Sequence, residues 1–316
     1  VYDSVVRMVF FWFSKNFRAI FLLIVSGFLF AFSFFLLLKF EMNWGSWDEN
    51  NTDQKLDFSV VNALSWGQFS WIHFPSFDEA KYQITPDMKK MKFRIPILMF
   101  HYIKDIPSNT DDQLWYKLSY APQKLEALFE YLDKNNIKTL TFWDMKAILE
   151  GKMMLPERAV ILTFDDGHRE HYTTVLPLLK KYNLKAVFFI ISGKADTDPL
   201  FVTWDEIRKI AEQGSEIWSH SVNHYAISTL SLSGVRHEVI DSKKQLEARL
   251  GLPIISFCYP MGRYDARVLR EVEKEYLFAR STKWGDLFRF AKRFEIPTIR
   301  VFPTTKTGEL AKYWWL

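Results

Sequence analysis

Two short segments concentrate residues that can do chemistry. Thr163-Phe164-Asp165-Asp166-Gly167 places two adjacent carboxylates directly after an apolar run. Such a pair repels itself and is costly to desolvate, and a metal cation is one way to offset both effects. The alternative is a turn leading into a capped helix, since Asp-Gly is also turn chemistry. Ser219-His220-Ser221-Val222-Asn223-His224 puts two imidazoles four residues apart. They are close enough for one metal if the segment turns as a helix does. Either histidine alone reads as readily as a surface or core residue. Two imidazoles and one carboxylate make a three-ligand zinc site with an open coordination position.

Other segments are weaker by themselves. In Tyr259-Pro260-Met261-Gly262-Arg263-Tyr264-Asp265, Pro followed by Gly marks a tight loop. That loop either points a backbone N–H into a site or is an ordinary connection. His101 follows the apolar run at 94–100 and serves as an acid, a ligand or neither. His168 and His171 read as helix-face residues and Cys258 as an inert packing residue. Trp204, Tyr264 and Trp284 have flat faces that suit sugars, but core packing is their default reading.

Elements of two kinds must position these residues. Short runs rich in β-formers lie at 94–100, 137–142, 158–164, 185–191, 215–218, 254–259, 277–280 and 298–302. Helical patterns lie between them at 122–135, 143–150, 169–182, 204–213, 233–250 and 265–275, the fifth with Ser233 as N-cap and Gly251 past its end. Alternation of continuous apolar strands with helices predicts an α/β fold with a parallel sheet. The number of repeats predicts a (β/α) barrel of about seven or eight strands. Functional residues then belong just after the strands, at their C-terminal ends.

The N-terminal part is of another kind. Residues 19–40 carry no charge until Lys39, and about 20 apolar residues at about 1.5 Å each give about 30 Å, the thickness of a bilayer core. They predict a single transmembrane helix preceding the barrel. Arg7, Lys15 and Arg18 come before it, while Glu41, Asp48 and Glu49 follow Lys39, so 1–18 is expected as a cytoplasmic or interfacial N-terminus. Residues 41–92 read as a stem and 93–316 as the extracytoplasmic domain. The 316 residues carry a formal net charge of +4 spread along the chain, which argues against a nucleic-acid partner. The single cysteine excludes an intrachain disulfide and a Cys-based zinc finger.

Taken together, the motifs resemble the polysaccharide deacetylases, the NodB-homology or carbohydrate esterase 4 family. TFDDG at 163–167 is similar to the first family motif, SHSVNH at 219–224 to the second and FCYPMGRYD at 257–265 to the third. RIPILMFHYI at 94–103 and IPTIRV at 296–301 resemble the permuted subgroup typified by the poly-N-acetylglucosamine deacetylases. The resemblance implies a metal-dependent hydrolase that removes N-acetyl groups from N-acetylglucosamine polymers and releases acetate, and the apolar span predicts that it is membrane-anchored. It implies Asp166, His220 and His224 as ligands of a divalent metal, Zn²⁺ by default. It implies Asp165 as general base, His101 as general acid and the backbone N–H of Met261 as an oxyanion donor. Four departures stand out. Cys258 occupies the place of an arginine that contacts the catalytic aspartate, and Met261 that of an aromatic. Bulky Trp218 replaces a small residue, and no histidine follows His237. These motivate an alternative: a catalytically inactive barrel serving as a membrane-tethered glycan-binding module.

Overall fold

The computed structural model describes residues 84–314. The anchor expected at 19–40, the stretch 1–18 and most of the stem lie outside the described residues. Among the described residues no helix is long and apolar enough to cross a membrane. Met88 is buried and Ile84 and Met91 pack on the core, so packed structure begins upstream of the boundary expected at Phe93.

Among the described residues ten strands follow in chain order: β1 (Lys92–Arg94), β2 (Ile97–Phe100), β3 (Lys138–Thr139), β4 (Ala159–Phe164), β5 (Val187–Ile190), β6 (Glu216–Ser219), β7 (Ser256–Cys258), β8 (Phe278–Trp284), β9 (Leu287–Arg289) and β10 (Ile296–Arg300). Seven of them, in the order β2-β10-β8-β7-β6-β5-β4, are parallel neighbours. The ring closes because β2 also pairs β4, from Ile97 opposite Ile161 to Phe100 opposite Phe164. The barrel is therefore seven-stranded. β3 only flanks the start of β4, Lys138 opposite Ala159. It stops short of the expected 137–142 because Thr141 already caps the helix Phe142–Leu149 in a reciprocal box with Asp144. β1 and β9 form a separate antiparallel ribbon, Lys92 opposite Arg289, that strand–helix alternation did not announce.

The local chemistry explains the elements. β4 and β5 are buried at every position, as strands must be with helices outside and a filled barrel inside. Thr203 and Glu206 form a second capping box at helix Trp204–Glu212, and Asp265 caps Ala266–Glu275 through the N–H groups of Arg267 and Val268. The helical stretch expected at 233–250 starts at Leu232, with Ser231 rather than Ser233 as its cap, and ends on Gly251 at φ 67°. It is interrupted by a π-helical segment, His237–Asp241, and a second such segment, His171–Val175, opens the helix expected at 169–182.

Side chains alternate along each strand, so Glu216, Trp218 and His220 share the inner face of β6. Trp218 lies below His220, meets Trp143 at a tilt with 6.0 Å between ring centroids and gives its indole N–H to Glu216. Phe142 packs against Phe189 and Phe278. These groups fill the barrel, with Glu216 at its N-terminal end, and the candidate site residues stand at its C-terminal face. His101 follows β2, Asp165 and Asp166 follow β4, His220 follows β6 and Tyr259 follows β7, the arrangement that parallel barrels use for sites.

Candidate active site

The loop from Asp165 to Gly167 leaves β4 sharply. Asp166 has φ 75° and Gly167 φ 81°. Among the described residues, seven other than glycine adopt left-handed backbone, and three of them are Asn136, Asn183 and Asp196, types that tolerate it. The other four, Asp166, Ser221, His224 and Met261, all lie in the segments singled out above. Concentrated strain of this kind needs surrounding structure to hold it.

Two of the four shape the histidine segment. It does not turn as a helix, contrary to expectation; Ser221 at φ 67° and His224 at φ 61° reverse the chain instead. The Ser221 hydroxyl accepts the N–H of His224 at 2.9 Å. Fully buried Glu238 holds the rest. Its carboxylate accepts the backbone N–H groups of Val222 and Asn223, at 3.0 and 2.8 Å, and the Asn223 side-chain amide at 2.7 Å.

The result brings three predicted ligands to one point. His220 Nε2 and His224 Nε2 lie 3.2 and 3.3 Å from Asp166 Oδ1. A tetrahedral metal with bonds of about 2.0 Å separates its ligands by about 3.3 Å. His220 Nδ1 donates to the Cys258 carbonyl at 2.9 Å, which fixes the tautomer and turns the Nε2 lone pair toward the carboxylate. Asp166 Oδ1 is buried and makes no hydrogen bond of its own. A buried carboxylate oxygen facing two imidazole nitrogens fits a divalent cation of the zinc type.

The charge states agree with that reading. Burial opposes ionisation of Asp166, yet the bond from His168 to Oδ2 and the close approach of His220 hold its carboxyl well below the usual range. Burial and the neighbouring His220 push His224 down to about 4, so it is a neutral imidazole at neutral pH. His220 is the exception. Burial disfavours its charged form, but interaction with Cys258 and the Asp166 carboxylate raises it well above its ordinary value.

Asp165 sits beside this cluster and is equally buried. Its Oδ2 takes a hydrogen bond from the Arg280 guanidinium and lies 3.6 Å from His101 Nε2, while its Oδ1 has no partner. Burial keeps His101 below its ordinary pKa, against the pull of Asp165 and Asp166. Met261 stands at φ 56° in the loop after β7. The bonds closing that loop come from the Gly262 and Arg263 N–H groups, so the Met261 N–H is not used in closing it. Gly262 is required there: at φ 65°, a Cβ would collide with the Thr282 side chain.

The structure corrects several other expectations. His168 precedes the helix and His171 lies on its inner side, and both are buried. His168 Nε2 meets Asp166 Oδ2 at 3.2 Å, and His171 Nε2 meets the His101 carbonyl at 2.8 Å. Cys258 is not inert packing, because its sulfur also contacts the Arg280 guanidinium and its carbonyl holds His220. Trp204 is buried and Tyr264 half-buried, but Trp284 is exposed, so core packing does not describe it.

Comparison with known proteins accords with this geometry. The family model for polysaccharide deacetylases matches residues 152–277. YxkH of Bacillus subtilis (strain 168), a protein named as a polysaccharide deacetylase, is 30% identical over 221 residues, 70% of this chain and 76% of that one. This chain belongs to the polysaccharide deacetylase family. A poly-beta-1,6-N-acetyl-D-glucosamine N-deacetylase of Escherichia coli (strain K12) is 32% identical over 126 residues, 35% of this chain but only 19% of that protein. Among solved structures, the Streptococcus pyogenes deacetylase PplD superposes with a TM-score of 0.65 at 24% identity, over 72% of this chain and all of that one, which shows the shared fold.

Membership in this family of hydrolases gives the departures a sharper meaning. The arginine expected at Cys258 has not been lost. Cys258 and Arg280 are register partners on adjacent strands β7 and β8, and Arg280 is fully buried with its guanidinium on Asp165. The arginine that reaches Asp165 thus stands one strand around the barrel from Cys258, at the same level. Reading the third motif alone missed it; the available signal was an arginine directly after the apolar start of a strand, Phe278-Ala279-Arg280. Glu238 was missed as well, as one polar residue on a long helix. Trp218 fills the barrel below the site and does not occupy its mouth.

Proposed function

We propose that this chain is a metal-dependent polysaccharide N-deacetylase that hydrolyses the N-acetyl groups of N-acetylglucosamine polymers. The observation that carries the reading is the Asp166–His220–His224 cluster with the Asp165–Arg280 pair directly beside it. Asp166, His220 and His224 would hold the cation, Zn²⁺ being the best chemical match. When bound, it supplies Lewis acidity to the amide carbonyl and to the attacking water.

The remaining steps belong to the chain. Arg280 occupies Asp165 Oδ2, so Oδ1 is the atom left to accept the proton of the attacking water. His101 rests as a neutral imidazole with its Nε2 3.6 Å from Asp165 Oδ2; on closer approach it would take the water's proton from the carboxyl and give it to the departing amine nitrogen. His171 holds the His101 backbone by its carbonyl and so keeps the ring in place. The Met261 N–H stabilises the negative charge that develops on the former carbonyl oxygen. Cys258 and Trp218 motivated the inactive glycan-binding module, but neither favours it now: Arg280 supplies the charge absent at Cys258, and Trp218 fills the barrel interior. The apolar stretch 19–40 and its flanking charges support a tether that places the domain outside a cell membrane.

Acetate release by the full chain tests this, using β-1,6-linked N-acetylglucosamine oligomers, chitin oligomers and peptidoglycan, each with Zn²⁺ and with chelator. Chelator-sensitive release from one of them, abolished in Asp165→Asn and His220→Ala, is the expected result. Release unaffected by chelator, or retained in Asp165→Asn, refutes the assignment. Binding of glycan without release from any substrate restores the inactive-module reading.

A further inference from the structure

His101 is followed by Tyr102, a residue the catalytic reading does not use. Its ring stacks on His168, with centroids 4.0 Å apart and planes 26° apart, and His168 in turn holds Asp166. Trp115 meets Tyr102 edge-on, at 6.2 Å. The aromatic series thus runs without a break from the metal-site carboxylate to the protein surface, where Trp115 is 37% exposed.

The segment that carries Trp115 is built to stay in place. Residues 103–118 leave β2 on the catalytic face and return alongside it. The excursion is closed at its base where Tyr102 N–H donates to Leu118 and Tyr120 N–H to Tyr102, at 3.2 and 2.9 Å. Ile103 and Ile106 are buried beneath it. Asp112 caps the short helix Gln113–Lys117 by accepting the Trp115 N–H at 2.8 Å.

Tyr102 is half-buried, and its hydroxyl makes no hydrogen bond among the described residues. Burial and the charges of Asp166, Glu170 and Asp112 push this phenol up to about 12, so it remains a proton donor at any working pH. A rigid aromatic wall with one free hydroxyl, beginning next to His101, suits one kind of ligand. A pyranose ring offers an apolar C–H face to stack on aromatics and hydroxyls around its edge to bond. An acyclic amide offers neither.

We propose that Tyr102 and Trp115 form the sugar-binding wall of this site, Trp115 stacking on a pyranose face and the Tyr102 hydroxyl bonding a sugar hydroxyl. The proposal rests on the deacetylase reading and names what selects a sugar amide over other amides.

The test compares the full Zn²⁺-loaded chain with Tyr102→Phe, Trp115→Ala and Trp115→Tyr on two substrates. One is an N-acetylglucosamine oligomer and the other is 4-nitrophenyl acetate, which has no sugar. Tyr102→Phe should cut kcat/KM on the oligomer about fivefold, as loss of one hydrogen bond does. Trp115→Ala should cut it about tenfold, mostly through KM, and Trp115→Tyr should recover most of the loss. In each case the loss on the oligomer should exceed the loss on the ester severalfold. Equal losses on both substrates mean that the wall acts only by supporting His168, and overturn the proposal. No loss on either overturns it too. A wild-type chain that cleaves the ester but no acetylated sugar refutes the deacetylase reading itself, whatever the variants do.

Discussion

Replacing Arg280 by methionine keeps most of the side-chain volume and removes the guanidinium. Arg280 and Asp165 are 0% and 1% exposed, so bulk water does not reach the pair to take over the charge. His101 lies near the same oxygen, but burial keeps it uncharged. Removing one partner of a buried ion pair costs about 3–5 kcal/mol, chiefly as the penalty of the charge left behind. At about 2–4 °C per kcal/mol for a domain of this size, Tm should fall by about 10 °C. Adding Asp165→Asn to Arg280→Met removes the stranded charge, so the double variant should be more stable than Arg280→Met alone. The cycle should give a coupling of about 2 kcal/mol or more. Acetate release by Arg280→Met should fall about 100-fold or further, because Asp165 loses the contact that orients it. The exchange variant Cys258→Arg/Arg280→Cys puts the guanidinium back one strand away, at the register partner. It should recover part of both stability and turnover. An Arg280→Met protein that unfolds within about 2 °C of wild type and keeps its turnover would refute this account, because Asp165 would then need no cation.

Other expectations follow from the same contacts. Glu238→Ala should weaken Zn²⁺ binding about 10- to 100-fold by freeing the loop between the two histidines, with Glu238→Gln intermediate; unchanged affinity in a metal titration would show that the loop holds itself. Raised His220 carries a proton in the metal-free protein near neutral pH, so Zn²⁺ must displace it. Calorimetry in buffers of different ionisation enthalpy should find about one proton released, with affinity rising about tenfold per pH unit around pH 7, and no release would contradict the assignment. Burial lowers His171 from 6.5 to about 4, so between those values the unfolded chain binds a proton that the folded one refuses. Its contribution is complete above pH 6.5 and is lost as pH falls toward 4, by about 3 kcal/mol. Denaturant unfolding of wild type against His171→Gln across that window should show wild type losing the more stability; parallel curves would rule this out.

The barrel and the three residues of the candidate metal site were readable because the signals are local. Strands such as Val187–Ile190, buried on both faces, must be apolar throughout, and helices between them must carry caps. Asp165, Asp166, His220, His224 and His101 stand at strand ends, so the parallel barrel that the pattern implies also places them on one face. The strand number was narrowed to seven or eight, and the choice of seven depends on β2 meeting β4, a pairing of which neither segment carries a mark. The way His224 reaches Asp166 was not readable either. Spacing of four fits a helical turn, whereas the actual loop is held by Glu238 from 15 residues further on. Arg280 bonds Asp165 across 115 residues of chain, and only the register of β7 against β8 shows that it stands where Cys258 does. Residue type and spacing thus determined the fold class and the face on which the candidate site residues gather, because burial periodicity and strand-end position act within a few residues. Tertiary structure alone decided which groups hold the carboxylates and the histidine loop, because those contacts exist only once the ring has closed and set distant strands level with one another.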